Sequence, residues 1–582
     1  MVQRQSKIIT PQRQFETGSG SRLLTDGLLL AGFCGFLFFF GLAYFGLVGA
    51  DEPRYAQVAR EMLARHDWIT PTLGGSAWLE KPPLYYWQAM LAYSIFGVSD
   101  WAARLPSALD ATLMVVAVYA FLRRLRPGYH LDGALITASA AGVIGFARAA
   151  STDMPLTAML AMALLAWYGW YESGSKALLA LSYVALALAS LAKGPVALLL
   201  AGLIVLIFAA AKGDYGLIRR TLWAPGVLLF CAIAFPWYFA VQIRNPEFFR
   251  IFILQHNLAR FGSNLYRHKE PFWYYIPVVV LGLMPWAVFA LAALSQSVRV
   301  WWSEKREMLR SESAFNVFLV IWLVVPVLFF SISQSKLPGY IVPALPAGTL
   351  LLAEYVRERL SGNERPSGML VVAHAVVVAS LLVPALMIQY VILQHHMPWG
   401  RASIISCLLA GVLAIGIVAT LRLQMGWKGL RFVTLVPVVL AVAATLRRGS
   451  PALDSTLSAR PLAAELSHVE TKPLPLAAFR ISREMEFGLA FYRNQTIERY
   501  ELGQVPSGEH LLVAPEGSQV EIAKLVTGRR VSYLGSFAPQ GMDYYWVAAG
   551  QRQASACISE QVRPSRTRRV VYSPYSSGLP PP

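Results

Sequence analysis

Along most of the chain, long apolar stretches alternate with short polar breaks. Stretches at about 26–48, 104–122, 132–149, 154–171, 177–192, 195–211, 222–242, 272–294, 314–332, 340–356, 368–388, 402–421 and 431–447 are each near the roughly 20 residues a helix needs to cross a bilayer. They are too long for strands, and they do not alternate. The pattern predicts thirteen spanning helices. The first stretch exceeds the roughly 7–15 residues of a signal-peptide core, so it reads as an uncleaved span.

The breaks are of two kinds. Every second one is short and basic: Arg123, Arg124 and Arg126; Lys212, Arg219 and Arg220; Arg299, Lys305, Arg306 and Arg310; Arg357, Arg359 and Arg365; Arg422, Lys428 and Arg431. With Arg4, Lys7, Arg13 and Arg22 before the first span, these mark the cytoplasmic side. The remaining breaks hold residues 49–103, "ARAASTDMP", "LAKGP", residues 243–271 and "QSKLPGY". All the chemically unusual segments therefore share the outer face.

Within the first outer segment, residues 54–66 place Tyr55, Val58, Ala59, Met62 and Leu63 on one stripe, as in an amphipathic helix lying at the membrane surface. The segment "PPLYYWQAMLAYSIFGV" is rich in Tyr and Trp and reads as a second surface or half-inserted helix. Beyond residue 448 the apolar runs shorten to strand length and interleave with helical patterns. The expected organisation is a membrane domain over 1–448, a small α/β domain over 449–562, and a disordered tail over 563–582.

Composition agrees. Of 582 residues, 56% are hydrophobic and only 14% charged, against about 25% in soluble folds. The net charge of +18 first reflects basic cytoplasmic loops and only then an acidic ligand. Four cysteines, three of them inside apolar runs, form no disulfide or zinc-knuckle spacing. No GxGxxG, P-loop or DxD sequence is present, so a nucleotide-linked donor has no evident binding site. Nothing in the pattern suggests nucleic acid as a partner.

The candidate chemistry sits in the outer segments. Asp51 and Glu52 follow the first span directly, and Asp153 lies at a matching depth. Either acid position also suits a helix N-terminus, where carboxylates are common. Glu80 and Lys81 precede two prolines that fix the local backbone. Outer cations, among them Arg54, Lys81, Lys193, Arg267 and Lys336, are more numerous than the positive-inside tendency allows. Snorkelling at helix ends explains some of them. As a group they suit anionic ligands, phosphates above all, at the outer leaflet. Glu80 and His256 are candidates for a partial metal site, with too few ligands for structural zinc.

"ADEPRYAQVAREML", "EKPPLYYW", "STDMPL", "LAKGPVAL", "QHNLARF" and "HKEPFWYY" together resemble the C superfamily of integral-membrane glycosyltransferases, GT-C. The likeness is to the bacterial branch related to protein O-mannosyltransferases, and most closely to the aminoarabinose transferases that modify lipid A. It implies an all-α polytopic domain with outer amphipathic helices and a small C-terminal α/β domain. The implied reaction moves 4-amino-4-deoxy-L-arabinose from undecaprenyl phosphate to a lipid A phosphate, with inversion, at the periplasmic face of the inner membrane. Polymyxin resistance is the implied phenotype.

By matching positions, the resemblance makes Asp51 the leading catalytic carboxylate with Asp153 in support. It makes Lys81, Arg267 and Tyr340 candidates for the donor phosphate, and Glu80 and His256 candidates to hold zinc or magnesium. Two other readings remain open: a protein O-mannosyltransferase using the same donor class, and a lipid or solute transporter.

Overall fold

The computed structural model describes residues 19–259, 270–303, 314–394 and 400–550. Arg267 of the candidate set, Cys557 and the 563–582 tail lie outside them.

Among the described residues the membrane part is helical apart from one short hairpin. Among the described residues nine helices are long and apolar enough to cross a bilayer. Two further pairs, His130–Ser139 with Ala141–Ala147 and Phe272–Gly282 with Ala287–Ser303, bend by 65° and 118° and bring the count to eleven. The other two expected spans are also helices. Val196–Lys212 is 17 residues, just under spanning length. Asp153–Ser173 has the length but ends in Trp167, Tyr168, Trp170 and Tyr171. Thirteen helical units thus match the thirteen apolar stretches, with two of them broken.

The helices surround a core in which Trp286, Trp322, Tyr168, Phe208 and Phe289 are fully buried. The outer helices Ala224–Arg244 and Arg401–Gln424 leave most of their apolar windows uncovered, as a lipid-facing surface does. The basic loops gather at one end. Arg126 pairs with Glu172 at 2.7 Å and approaches Glu354, while Arg431 pairs with Asp132 at 3.1 Å. These contacts join loops that the charge pattern assigns to a single side.

At the opposite end lie the Asp51–Ala64 helix, a two-residue-per-strand hairpin (β1 Thr72–Leu73, β2 Ser76–Ala77) and the Leu84–Phe96 helix. With 13 residues, the last is too short to span. The Asp51–Ala64 helix corrects the sequence reading of a helix exposed on its polar side. Glu52, Arg54 and Gln57 are buried along with the apolar stripe. The stripe packs on Tyr85 and Tyr86, and the polar side is covered by the C-terminal domain, where Arg60 Nη1 donates to the Phe491 carbonyl at 2.6 Å.

The last span runs on helically to Leu457, past the expected break at 448. The domain beyond it is a five-stranded mixed sheet, ordered β4-β3-β5-β7-β6, from β3 Leu476–Ala478, β4 Glu498–Arg499, β5 His510–Pro515, β6 Val531–Phe537 and β7 Met542–Val547. β3 is parallel to β4 and β5, while β7 is antiparallel to β5 and β6. Successive residues face opposite sides. Leu511 and Val513 join the layer under helices Arg460–Val469 and Arg483–Arg493, whereas Leu512 and Ala514 join the layer under Gln519–Leu525. Arg460 anchors the domain by reaching Asp100 at 2.9 Å and Asp454 at 2.8 Å. Tyr492 donates to Asp100 at 2.6 Å.

Candidate functional site

The site begins where the first span ends. Leaving the helix, residues 42–46 expose carbonyls with no partner of their own. Arg104 supplies donors to Leu42, Phe45 and Gly46 at 2.7–2.8 Å. Its remaining donors reach both oxygens of Glu52, at 3.1 and 2.6 Å. Glu52 also accepts from the N–H groups of Val48 and Ala150, each at 2.8 Å. Every oxygen of this carboxylate is thus committed to holding backbone. Glu52 is a structural latch, and its neighbour Asp51 is the free-facing acid.

Asp51 opens the Asp51–Ala64 helix, an N-terminal position that favours a carboxylate. Its side chain is 52% exposed and pairs with Arg54 one turn on. The Arg54 guanidinium is buried among three aromatic faces, Tyr55 at 5.1 Å, Trp78 at 5.3 Å and Phe487 at 5.6 Å. Burial alone would lower its pKa, but Tyr55, Asp51 and Glu80 together hold it above the ordinary arginine value. Arg54 is therefore a permanent cation on an aromatic mount.

A second acid–cation pair lies on the same membrane side of the site. Asp153 starts its helix and pairs with Lys193, whose ammonium sits 4.7 Å from the centre of the Tyr340 ring. Gly339 makes this possible: a Cβ there would lie 2.7–2.9 Å from the Asp153 carboxylate. The "KLPGY" turn thus presses against the acid only because residue 339 has no side chain. Tyr55 feels both acids. Burial, then Asp51, and more distantly Asp153, push its hydroxyl pKa well up, so it stays a neutral donor.

A cavity of about 2380 Å³ opens between the outer end of the membrane part and the C-terminal domain. Asp51, Arg54, Glu80 and Asp153 line one wall, and Phe479, Arg483, Phe487 and Arg499 line the other. An apolar flank of Leu381, Ile388, Val438 and Val442 leads from it along the membrane helices.

The remaining candidates are placed less directly. Lys193 and Tyr340 stand behind Asp153. The buried Lys336 ammonium donates to the Ser333 carbonyl of its own turn at 2.6 Å, beside the cavity-lining Leu337. Lys81 is half-buried next to Glu80. His256 Nε2 lies 3.7 Å from Glu80, and both are largely covered. Among the described residues no group of three or more His, Cys, Asp or Glu side chains could hold a metal. The pair therefore offers two donors to an ion, whose shell substrate oxygens would have to complete.

Sequence reasoning missed Arg104, Gly339 and Phe487. Trp78 stands two residues before the Glu80–Lys81 pair that the sequence singled out. Phe487 gave no signal, because an aromatic in a soluble-domain helix normally packs in its own core.

Comparison with known proteins follows the same lines. Residues 28–252 match the family described as dolichyl-phosphate-mannose-protein mannosyltransferase, a range that contains Asp51, Arg54, Glu80, Asp153 and Lys193. The chain is 33% identical over 350 residues, 58% of its length, to the undecaprenyl phosphate-alpha-4-amino-4-deoxy-L-arabinose arabinosyl transferase of Pseudomonas aeruginosa strain UCBPP-PA14. It is 32% identical over 322 residues, 54% of its length, to the enzyme of that name from Edwardsiella ictaluri. The matches span 61% and 56% of those relatives.

In three dimensions the chain superposes on the crystal structure of ArnT from Cupriavidus metallidurans bound to undecaprenyl phosphate. The TM-score is 0.72 at 24% identity, over 90% of this chain and 98% of that one. The apo form gives 0.73 at 23% identity, with the same coverage. The chain therefore has the fold seen in ArnT, and over 58% of its length it is similar in sequence to proteins named as aminoarabinose transferases.

Proposed function

We propose that the protein transfers 4-amino-4-deoxy-L-arabinose from undecaprenyl phosphate to a phosphate group of lipid A, with inversion at the anomeric carbon. One observation carries the reading: two acid–cation pairs, Asp51–Arg54 and Asp153–Lys193, meet one cavity with an apolar flank. A polyprenyl chain lies along the flank while its phosphate reaches the cations. The names of the relatives and the undecaprenyl phosphate bound to the Cupriavidus protein support this donor class.

In the reaction, an oxygen of the acceptor phosphate forms a bond to the anomeric carbon. The bond from that carbon to the donor phosphate oxygen breaks, and undecaprenyl phosphate departs with the electron pair. A phosphate monoester has its second pKa near 6, so at neutral pH the nucleophile is already anionic. Little proton removal is needed. The task is alignment and relief of repulsion between two phosphates. Asp51 orients the reacting groups, while Arg54 and Lys193 offset the charge gathering on the leaving phosphate. Asp153 holds Lys193 in place against Tyr340.

Glu80 and His256 would hold a divalent ion, which when bound supplies positive charge near the leaving phosphate. Placement in a bacterial cytoplasmic membrane, with this cavity on the periplasmic side, is part of the proposal. It rests on the basic loops gathered at the far end of the molecule. Capping anionic phosphates with a cationic sugar lowers surface attraction for polymyxin and similar peptides.

Mass spectrometry of lipid A from cells with and without the gene tests the function. Addition of the aminopentose that depends on the gene and on Asp51 is expected, and an unchanged lipid A profile overturns the reading. The mannosyltransferase match favours one rival, a protein acceptor. Glycosylated peptides alongside unmodified lipid A would select it.

A further inference from the structure

The C-terminal wall of the cavity carries a cation that the mechanism above does not use. The Phe487 ring lies 5.6 Å from the Arg54 guanidinium and 5.5 Å from that of Arg483. The two guanidinium carbons are therefore no farther apart than about 11 Å, the sum of those distances. Arg54 belongs to the membrane part and Arg483 to the C-terminal domain, so Phe487 ties the walls together at the point where each presents a positive charge.

The other cavity-lining cations are committed. Arg54 pairs with Asp51. Arg148 donates to the carbonyls of Leu37, Phe40 and Gly41. Arg480 pairs with Glu521 at 2.6 Å. Arg499 holds Glu486 and Glu501. Arg483 is exposed to the cavity, and among the described residues its charge is felt by Glu486 one turn on, which Arg499 already holds at 3.3 Å. The stacking of Arg483 on Phe487 limits its conformations while leaving its donors open, the arrangement in which arginine reads phosphate. Glu484 lines the same wall, so the wall is not a diffuse basic patch, and recognition rests on this one guanidinium.

Transfer between two phosphates needs cations for each. Arg54 and Lys193 flank the acids on the membrane side, where the polyprenyl donor lies. Resting on the function proposed above, we propose that Arg483, mounted on Phe487, binds the phosphate monoester of the glycolipid acceptor. The C-terminal domain then supplies the acceptor half of the active site.

The test uses the full chain in phospholipid vesicles, with the KM for lipid A and the KM for the lipid-linked donor measured separately. Arg483→Ala should raise the acceptor KM on the order of 10-fold or more, as loss of a charge-assisted contact does. It should leave the donor KM within about two-fold and the melting temperature unchanged, and Arg483→Lys should recover part of the loss. Phe487→Leu, which fills space without an aromatic face, should raise the acceptor KM, and Phe487→Tyr should not.

A binding arm compares phosphorylated with dephosphorylated lipid A, with inorganic phosphate as competitor. Tighter binding of the phosphorylated lipid that needs Arg483 supports the subsite. Equal displacement by millimolar inorganic phosphate reassigns it to free phosphate and overturns the lipid acceptor. An unchanged acceptor KM, or a rise in donor KM instead, also overturns it. If wild-type protein fails to glycosylate lipid A, the function itself falls, and the binding arm still decides the subsite.

Discussion

Asp51 and Glu52 are adjacent acids with opposite assignments, and replacing each in turn separates them. Glu52→Ala removes the anion facing Arg104, a pair whose side chains are only 8% and 1% exposed. It also strands the Val48 and Ala150 N–H groups. Breaking a buried pair by removing one partner costs about 3–5 kcal/mol. Each stranded buried donor alone costs about 1–3 kcal/mol. These losses share one carboxylate and do not add, so about 4 kcal/mol is expected.

Asp51→Asn loses only a half-exposed ion pair, worth about 0–1 kcal/mol. Its turnover should fall by ~100-fold or more, the usual effect of removing a positioned catalytic carboxylate. The assay is paired. Tryptophan-fluorescence melting in detergent reads stability, and transfer from the lipid-linked donor reads turnover. Glu52→Ala should melt well below wild type, whereas Asp51→Asn should melt close to wild type while losing turnover. A Glu52→Ala protein that keeps wild-type stability but has lost turnover would refute the latch and return Glu52 to the catalytic set.

Two further outcomes are expected. Gly339→Ala puts a Cβ against the Asp153 carboxylate, so it should displace the Asp153–Lys193 pair and lower kcat by about 10-fold; unchanged steady-state rates would show the close approach to be idle. Burial alone would raise the Glu470 pKa, but bonds from Arg493 at 2.6 and 2.7 Å and from the Leu474 N–H hold it below the ordinary value. That stabilisation is present above the unfolded-state value of about 4.5 and is lost as pH falls through the folded value. Protection factors of C-terminal-domain amides, corrected for the intrinsic pH dependence of exchange, should therefore fall below about pH 4.5, and less so in Glu470→Gln; identical profiles in the two proteins would rule the pair out as the cause.

The positions and order of the apolar helices were legible in the sequence because a span must present about twenty apolar residues to lipid, and that demand is local. The same holds for which loops share an end, set by lysine and arginine counts, and for the short helix at 84–96, set by its length. Asp51 and Asp153 were legible as acids beside helix starts at a matching depth. What the chain could not disclose alone is which charges are occupied. Glu52 looked like the twin of Asp51 until Arg104, some fifty residues on, was seen to take up its oxygens. The surface helix read at 54–66 looked half-exposed until a domain some 430 residues away covered its polar side. Gly339 acquired meaning only when its missing side chain admitted Asp153. Hydrophobic span patterns are written in consecutive residues, whereas hydrogen-bond partners, aromatic mounts and cavity walls are assembled from distant ones, so only the tertiary structure decided them.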